Sequence, residues 1–194
     1  LENWEGPDNH PVWASVSPDG KTVVFARNHN LYAMTGEAYQ QILEARRGKD
    51  EDEANEAEEG VEVNETQLST DGEEHYSYAD RDRGDTDTEK AKNREERKHA
   101  SISWAHDSRY FAIVRLDQRQ TGDLWVIHSV GNRRPELETY KYDMAGEEKV
   151  AQREIRIYDL ELKRMITVGA DRFKDQQVGI WNDRGFEYPD SDEP

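Results

Sequence analysis

Val12-Trp13-Ala14-Ser15-Val16-Ser17-Pro18-Asp19-Gly20, continued by Thr22-Val23-Val24-Phe25-Ala26-Arg27, Asn28-His29-Asn30 and Leu31-Tyr32-Ala33-Met34, is the stretch on which the fold turns. The first nine residues read as a strand ending in a turn. Pro18 presets φ, Asp19 caps the turn with its side chain, and Gly20 takes the positive-φ position. A β-branched strand follows, then a second tight turn, then a third strand. Connections this short join neighbours that run antiparallel, so the stretch is a meander.

Further along the chain the same order returns. Ile102-Ser103-Trp104-Ala105-His106-Asp107-Ser108 leads into Tyr110-Phe111-Ala112-Ile113-Val114-Arg115 and, after a loop, Asp123-Leu124-Trp125-Val126-Ile127. Aligning Asp19 with Asp107 superimposes strand, turn, strand, turn and strand. Four-stranded meanders repeated along a chain are the blades of a β-propeller, and insertions lengthen the repeat. Thr66-Gln67-Leu68-Ser69-Thr70-Asp71-Gly72 would close the first blade. Glu154-Ile155-Arg156-Ile157-Tyr158-Asp159-Leu160 alternates strictly, and residues 163–168 pair back on it to complete the second. The expected fold class is therefore mainly β, a partial propeller of antiparallel four-stranded meander blades with one short inserted helix. Trp13, Trp104 and Trp125 all fall on strands and are expected in blade cores.

That helix is read at residues 37–47, where Tyr39, Ile42 and Leu43 stand at helical spacing. It runs into the acidic stretch 50–65, which is polar enough to be expected as a solvated insertion. Residues 80–98 carry mixed charge with almost no apolar residue and are expected as an exposed loop or a helix outside the core. The tail from Tyr188 to Pro194 is given no structure. The organisation expected is a blade over about 12–72 with the insertion 37–65, a blade over about 100–169, and a tail 170–194.

The chain of 194 residues is 34% hydrophobic and 36% charged, so a core must be local, and the apolar residues are bunched in the strands just named. The net charge is −17, of which nine carboxylates come from residues 50–65 alone. Nucleic acid is an unfavourable partner, because binding it needs a basic face that releases counterions. Cysteine is absent, which excludes disulfides and thiolate metal sites without deciding the compartment. No run approaches the ~18 apolar residues of a membrane span. The chain opens at Leu1 without Met, as a processed or truncated chain would.

The Ser17-Pro18-Asp19-Gly20 turn with Asn30-Leu31-Tyr32 resembles the blade signature of propellers in the prolyl oligopeptidase clan. A more specific stretch is Arg134-Pro135-Glu136-Leu137-Glu138-Thr139-Tyr140-Lys141-Tyr142-Asp143-Met144-Ala145-Gly146-Glu147, ahead of the strand at Ile155. It is similar to a connection found in the dipeptidyl peptidase IV branch, and the likeness spans roughly residues 12–169. The resemblance implies a parent with a propeller and an α/β-hydrolase domain carrying a Ser-Asp-His triad, which releases dipeptides from peptide N-termini. It implies a periplasmic or secreted location and no cofactor. The implied partners are a peptide substrate with a free N-terminus and the hydrolase domain of the same parent chain, and a homodimer of the parent is compatible with it. A nucleophile elbow needs Gly-x-Ser-x-Gly between strand and helix. No serine of this chain sits in that pattern, so the chain alone is expected to have no peptidase activity.

The family's propeller also contributes a pair of adjacent glutamates, ahead of a blade-opening Trp strand, that holds the substrate's ammonium. A desolvated ammonium needs carboxylates as counter-ions and acceptors, and two of them select a free N-terminus. Glu95-Glu96 precedes Trp104 at about the expected distance, although the family's aromatic residues before the pair are replaced by Lys92-Asn93-Arg94. Glu73-Glu74 is a weaker second candidate, with its aromatics Tyr76 and Tyr78 on the wrong side. Both pairs also read as solvated loop charge. His75, His99, His106 and His128 lack metal-ligand spacing, and His106 takes the turn position of Pro18. The acidic run lacks the alternating Asp spacing of a calcium loop. A stand-alone propeller-like protein-binding module, or the propeller of an oligopeptidase or acylaminoacyl peptidase, stands as the alternative function.

Overall fold

Strand β1 (Ser15–Val16) ends where Ser17 N–H donates to Thr22 O and Gly20 N–H returns to Ser17 O, with Gly20 at φ +70°. The computed structural model describes residues 10–80, 93–131, 133–170, 173 and 178–180. Residues 81–92 of the mixed-charge run and the stretch 188–194 lie outside them. Strands β2 (Thr22–Arg27) and β3 (Asn30–Thr35) pair over their full length, and β3 pairs with the short β4 (Thr66–Gln67). The sheet order is β1-β2-β3-β4, a four-stranded antiparallel meander as the turn chemistry predicts.

The second sheet opens with β5 (Ile102–Trp104) and β6 (Tyr110–Asp117). Their joining turn repeats the first at atomic level. Ala105 N–H donates to Tyr110 O, Ser108 N–H to Ala105 O, and Ser108 stands at φ +59° where the first copy has Gly20. Asp107 accepts from Arg109 N–H just as Asp19 accepts from Lys21 N–H. His106 thus holds a turn position.

Beyond β6 the expectation needs correction. Strand β7 (Asp123–His128) is not the third strand of the blade; among the described residues it pairs only with β8 (Glu136–Lys141), in a separate two-stranded ribbon. The third strand is β9 (Gln152–Asp159), which pairs with β6 along all eight residues, and β10 (Arg164–Thr167) closes the order β10-β9-β6-β5. Long β9 offers a full ladder to long β6, and that outweighs the proximity of β7 in sequence. Trp125 goes with the ribbon: it is 70% exposed rather than in a core, while Trp13 is buried and Trp104 half-buried.

Two helices are inserted, where one was expected. Helix α1 (Gly36–Arg46) starts where Thr35 Oγ1 accepts from Ala38 N–H, and it buries Tyr39 and Ile42. Helix α2 (Glu51–Glu59) lies inside the acidic run that reads as solvated. Asp50 caps it by accepting from Glu53 N–H, and Glu51, Asp52 and Glu53 complement the positive end of the helix dipole. Ala54 and Glu58 face inward and dock it.

Because β2 is buried on both faces, two cores form. Val24 and Ala26 join Leu31, Phe111, Ile113 and Tyr158 between the two blades. Val23 and Phe25, on the opposite face, pack with Trp13, Tyr39 and Ile42 under α1. Asp19 N–H donates to Ser108 Oγ and Trp104 Nε1–H to Ser15 Oγ, so the two equivalent turns also touch across the blade interface.

Candidate functional site

The end of β2 organises a cleft-bearing surface. There the chain returns from outside the blade: Ala26 and Lys98 exchange backbone hydrogen bonds of 2.8 and 2.7 Å, and Asn28 N–H donates to Arg94 O at 3.0 Å. The Arg94 contact falls in a 3-10 turn (Asn93–Glu95), continued by Glu96 N–H donating to Asn93 O, so Glu95 and Glu96 lie between the Arg94 and Lys98 contacts. The turn sends Glu95 and Glu96 to the surface and Arg97 inward.

Arg97 meets a set of buried charges. Its guanidinium donates to Glu58 Oε1 at 3.0 Å and approaches Glu65 Oε1 at 2.8 Å from Nε and 2.7 Å from Nη2. Its Cζ also lies 5.1 Å from the centre of the Trp13 ring, in cation–π range. Glu58 accepts further from Trp13 Nε1 at 2.7 Å and from Arg46 Nη1 at 2.5 Å, and Arg27 pairs with Glu65. Each buried carboxylate therefore has more than one donor, the condition under which buried charge is tolerated. Neither the partners of Glu58, far off in sequence, nor its burial is visible in a run of acidic letters.

A cleft of about 490 Å3 opens above this network. Trp13 and Arg27 form its floor with Arg97, helix α2 contributes Asn55, Glu58 and Glu59, and Glu95 and Glu96 stand at its rim. Arg97 and Arg27 are satisfied by Glu58 and Glu65. Glu59, Glu95 and Glu96 are exposed and make no ion pair with another described residue. The cleft thus presents free carboxylates and can hold a cation with hydrogen-bond donors. Among the described residues no serine, threonine or histidine lines it.

Of the sequence-derived candidates, Glu95 and Glu96 are brought together on one cleft. Glu73 and Glu74 are not on it; they sit in a tight turn bridged by Glu73 and Tyr76, with Glu73 bound to Arg119 at 2.6 Å. His99 contacts Asp80, and His128 lies 2.6 Å from Glu138. Among the described residues no group of His, Asp and Glu is arranged to hold a metal ion.

A second charged cluster, which the sequence reading missed, joins the blades. Arg115 has a fully buried side chain on the core face of β6. It donates to Asp71 Oδ2 at 2.8 Å, to Asp71 O at 2.6 Å and to Tyr76 O at 2.6 Å, and it is stacked on the rings of Tyr76 and Tyr78. Asp71 and Tyr76 lie in the segment leaving the first blade, so Arg115 clasps one blade to the other. Burial pushes the Asp71 carboxyl up, but the hydrogen bond and charge of Arg115, with the Tyr78 hydroxyl and Arg156, outweigh it and leave it below its ordinary value. Burial pushes the Tyr78 hydroxyl up to about 12. The available signal was an arginine ending an otherwise apolar strand at the same place in both copies, Arg27 and Arg115.

Comparison with known proteins gives three findings. No curated protein matches the chain. Among solved structures, Porphyromonas gingivalis dipeptidyl peptidase 4 is 22% identical with a TM-score of 0.49, the match covering 80% of this chain and 18% of that one. A Bacteroides ovatus protein described as a candidate dipeptidyl aminopeptidase IV is 14% identical with a TM-score of 0.31, covering 82% of this chain and 31% of that one. The chain therefore spans less than a third of either protein. The family model described as ELP1 first N-terminal beta-propeller matches residues 10–179, which include both blades and both insertions, and the chain belongs to that β-propeller family.

Proposed function

We propose that the chain is a non-catalytic propeller segment of a dipeptidyl peptidase IV-like serine exopeptidase, exported to the periplasm or secreted. In this reading the propeller restricts access to the catalytic chamber of the parent's hydrolase domain, and Glu95 and Glu96 hold the ammonium of the peptide substrate. The observation that carries it is the pair of exposed carboxylates, unpaired among the described residues, that lines the Trp13 cleft between the hydrogen bonds of Arg94 to Asn28 and of Lys98 to Ala26. The order of residues in 137–147 supports the peptidase branch.

An ammonium seated there would exchange its water shell for charge-assisted hydrogen bonds, and a second carboxylate raises the preference for a free amine over an amide. Glu95→Gln or Glu96→Gln in the full-length parent should lower kcat/KM by roughly 30- to 1000-fold, about 2–4 kcal/mol. The loss should be confined to peptides with a free N-terminus, because an acetylated peptide of the same sequence carries no charge. Equal rates for variant and wild type on the free peptide would return both glutamates to solvated loop charge.

A second reading has its own support. The matched family model names a propeller and not a peptidase, and Trp125, Ile127 and Leu137 share one exposed face of the β7–β8 ribbon. Both fit a propeller that binds another protein. A parent sequence that encodes Gly-x-Ser-x-Gly followed by Asp and His favours the peptidase; one without them favours the binding module.

A further inference from the structure

We infer that Arg97 is a positioning residue for the Glu95-Glu96 pair and that the acidic insertion is the frame it is held in. This inference rests on the amine-binding reading of that pair. The geometry begins with chain direction. Glu96 and Arg97 are adjacent, and the turn points them opposite ways, so anchoring the guanidinium holds the backbone from which the two preceding carboxylates project.

Three separate surfaces hold that guanidinium. Glu58 Oε1 belongs to α2, Glu65 Oε1 to the segment between α2 and β4, and the ring under Cζ to Trp13 ahead of β1. Side-chain exposure is 16% for Arg97 and 10% for each glutamate, so water screens these contacts little. The fork of the guanidinium suits this task, since a lysine offers a point charge and cannot span both carboxylates with fixed angles.

Its partners are held in turn. Arg46 of α1 binds the other oxygen of Glu58, and Arg27 of β2 binds the other oxygen of Glu65. The path from the blade to the glutamate pair thus runs along alternating buried charges, with backbone staples at Asn28 and Ala26 beside it. A solvated acidic insertion would supply no such support. The bonds of Glu58 and Glu65 to Arg97 give the most acidic segment of the chain a task that its composition does not suggest.

The test uses the full-length parent with a free dipeptidyl-proline chromogenic substrate and an N-acetylated peptide. Arg97→Met should raise KM for the free substrate by roughly 10- to 100-fold, as misplacing a binding group by about an ångström does. It should leave kcat at saturation and the rate on the acetylated peptide near wild type. Arg97→Lys should recover part of the loss, and Glu65→Gln, a milder change, should shift KM in the same sense. In parallel, hydrogen exchange at Glu96, Lys98 and Asn28 N–H should accelerate about tenfold or more in Arg97→Met and Glu65→Gln. If Glu95→Gln impairs free-amine substrates and Arg97→Met does not, the positioning role is overturned while the amine site stands. If Glu95→Gln has no effect, the amine site fails. In that case the exchange rates still decide whether Arg97 orders the turn, and unchanged rates overturn it.

Discussion

Each blade carries one insertion, and the two behave oppositely to their composition. The insertion between β3 and β4 of the first blade is dominated by acidic residues, yet it folds into two helices that pack on Trp13, Phe25 and Arg97. The insertion between β6 and β9 of the second blade holds Leu124-Trp125-Val126-Ile127, yet it projects as a ribbon with Trp125, Ile127 and Leu137 exposed at 70%, 66% and 65%. Hydrophobic content alone does not decide docking. The acidic segment docks because Arg46, Arg97 and the Trp13 indole await Glu58. The apolar ribbon does not, because β9 already occupies the edge of β6.

The largest effect should come from the clasp between the blades. Arg115→Met leaves Asp71 O and Tyr76 O without their buried guanidinium donor and takes one of several donors from the Asp71 carboxylate, and should destabilise the fold by about 3–5 kcal/mol in denaturant unfolding. A loss below about 1 kcal/mol would show that apolar packing alone joins the blades.

Within the first insertion the contrast should be internal. Glu58→Ala removes a carboxylate partner of Arg46, whose side chain is 3% exposed, together with the acceptor of Trp13 and Arg97, and should lower stability by about 2–4 kcal/mol with loss of helicity. Glu51→Ala, exposed in the first turn of the same helix, should change it by no more than about 1 kcal/mol, the worth of its charge at the helix dipole. Similar values for the two would mean that the helix is not docked through Glu58.

The clasp also predicts a pH response with two limbs. Tyr78 titrates higher folded than unfolded, so its contribution is full below about pH 10 and is lost as pH rises toward about 12. Asp71 titrates lower folded, so its contribution is present above its unfolded pKa and fades as pH falls through the folded one. Thermal unfolding across pH should show both limbs, and Arg115→Met should flatten the acid one. The smallest effect belongs to the ribbon: Trp125→Ser should move stability by about 0.5 kcal/mol or less, since the side chain is already in water. A drop of several kcal/mol would mean that the ribbon packs on the blades.

These contrasts explain how far the sequence could be read. The meander of the first blade and the matching turn of the second were legible, because Pro18, Asp19, Gly20 and Ser108 set backbone angles locally. The place of β7 was not, because a period-two apolar strand looks the same in a blade and in a ribbon; strand order is a long-range choice. Glu95 and Glu96 could be singled out by their place before Trp104. The cleft wall across from them could not, since Glu58 and Arg97 lie 39 residues apart and only folding joins them.

The most direct test of the amine-site account is a crystal structure of the full-length parent with a dipeptide product bound. The account predicts the product's ammonium nitrogen about 2.7–3.2 Å from carboxylate oxygens of both Glu95 and Glu96, at the rim of the Trp13 cleft. An ammonium bound elsewhere in the propeller, with Glu95 and Glu96 facing only water, would contradict it.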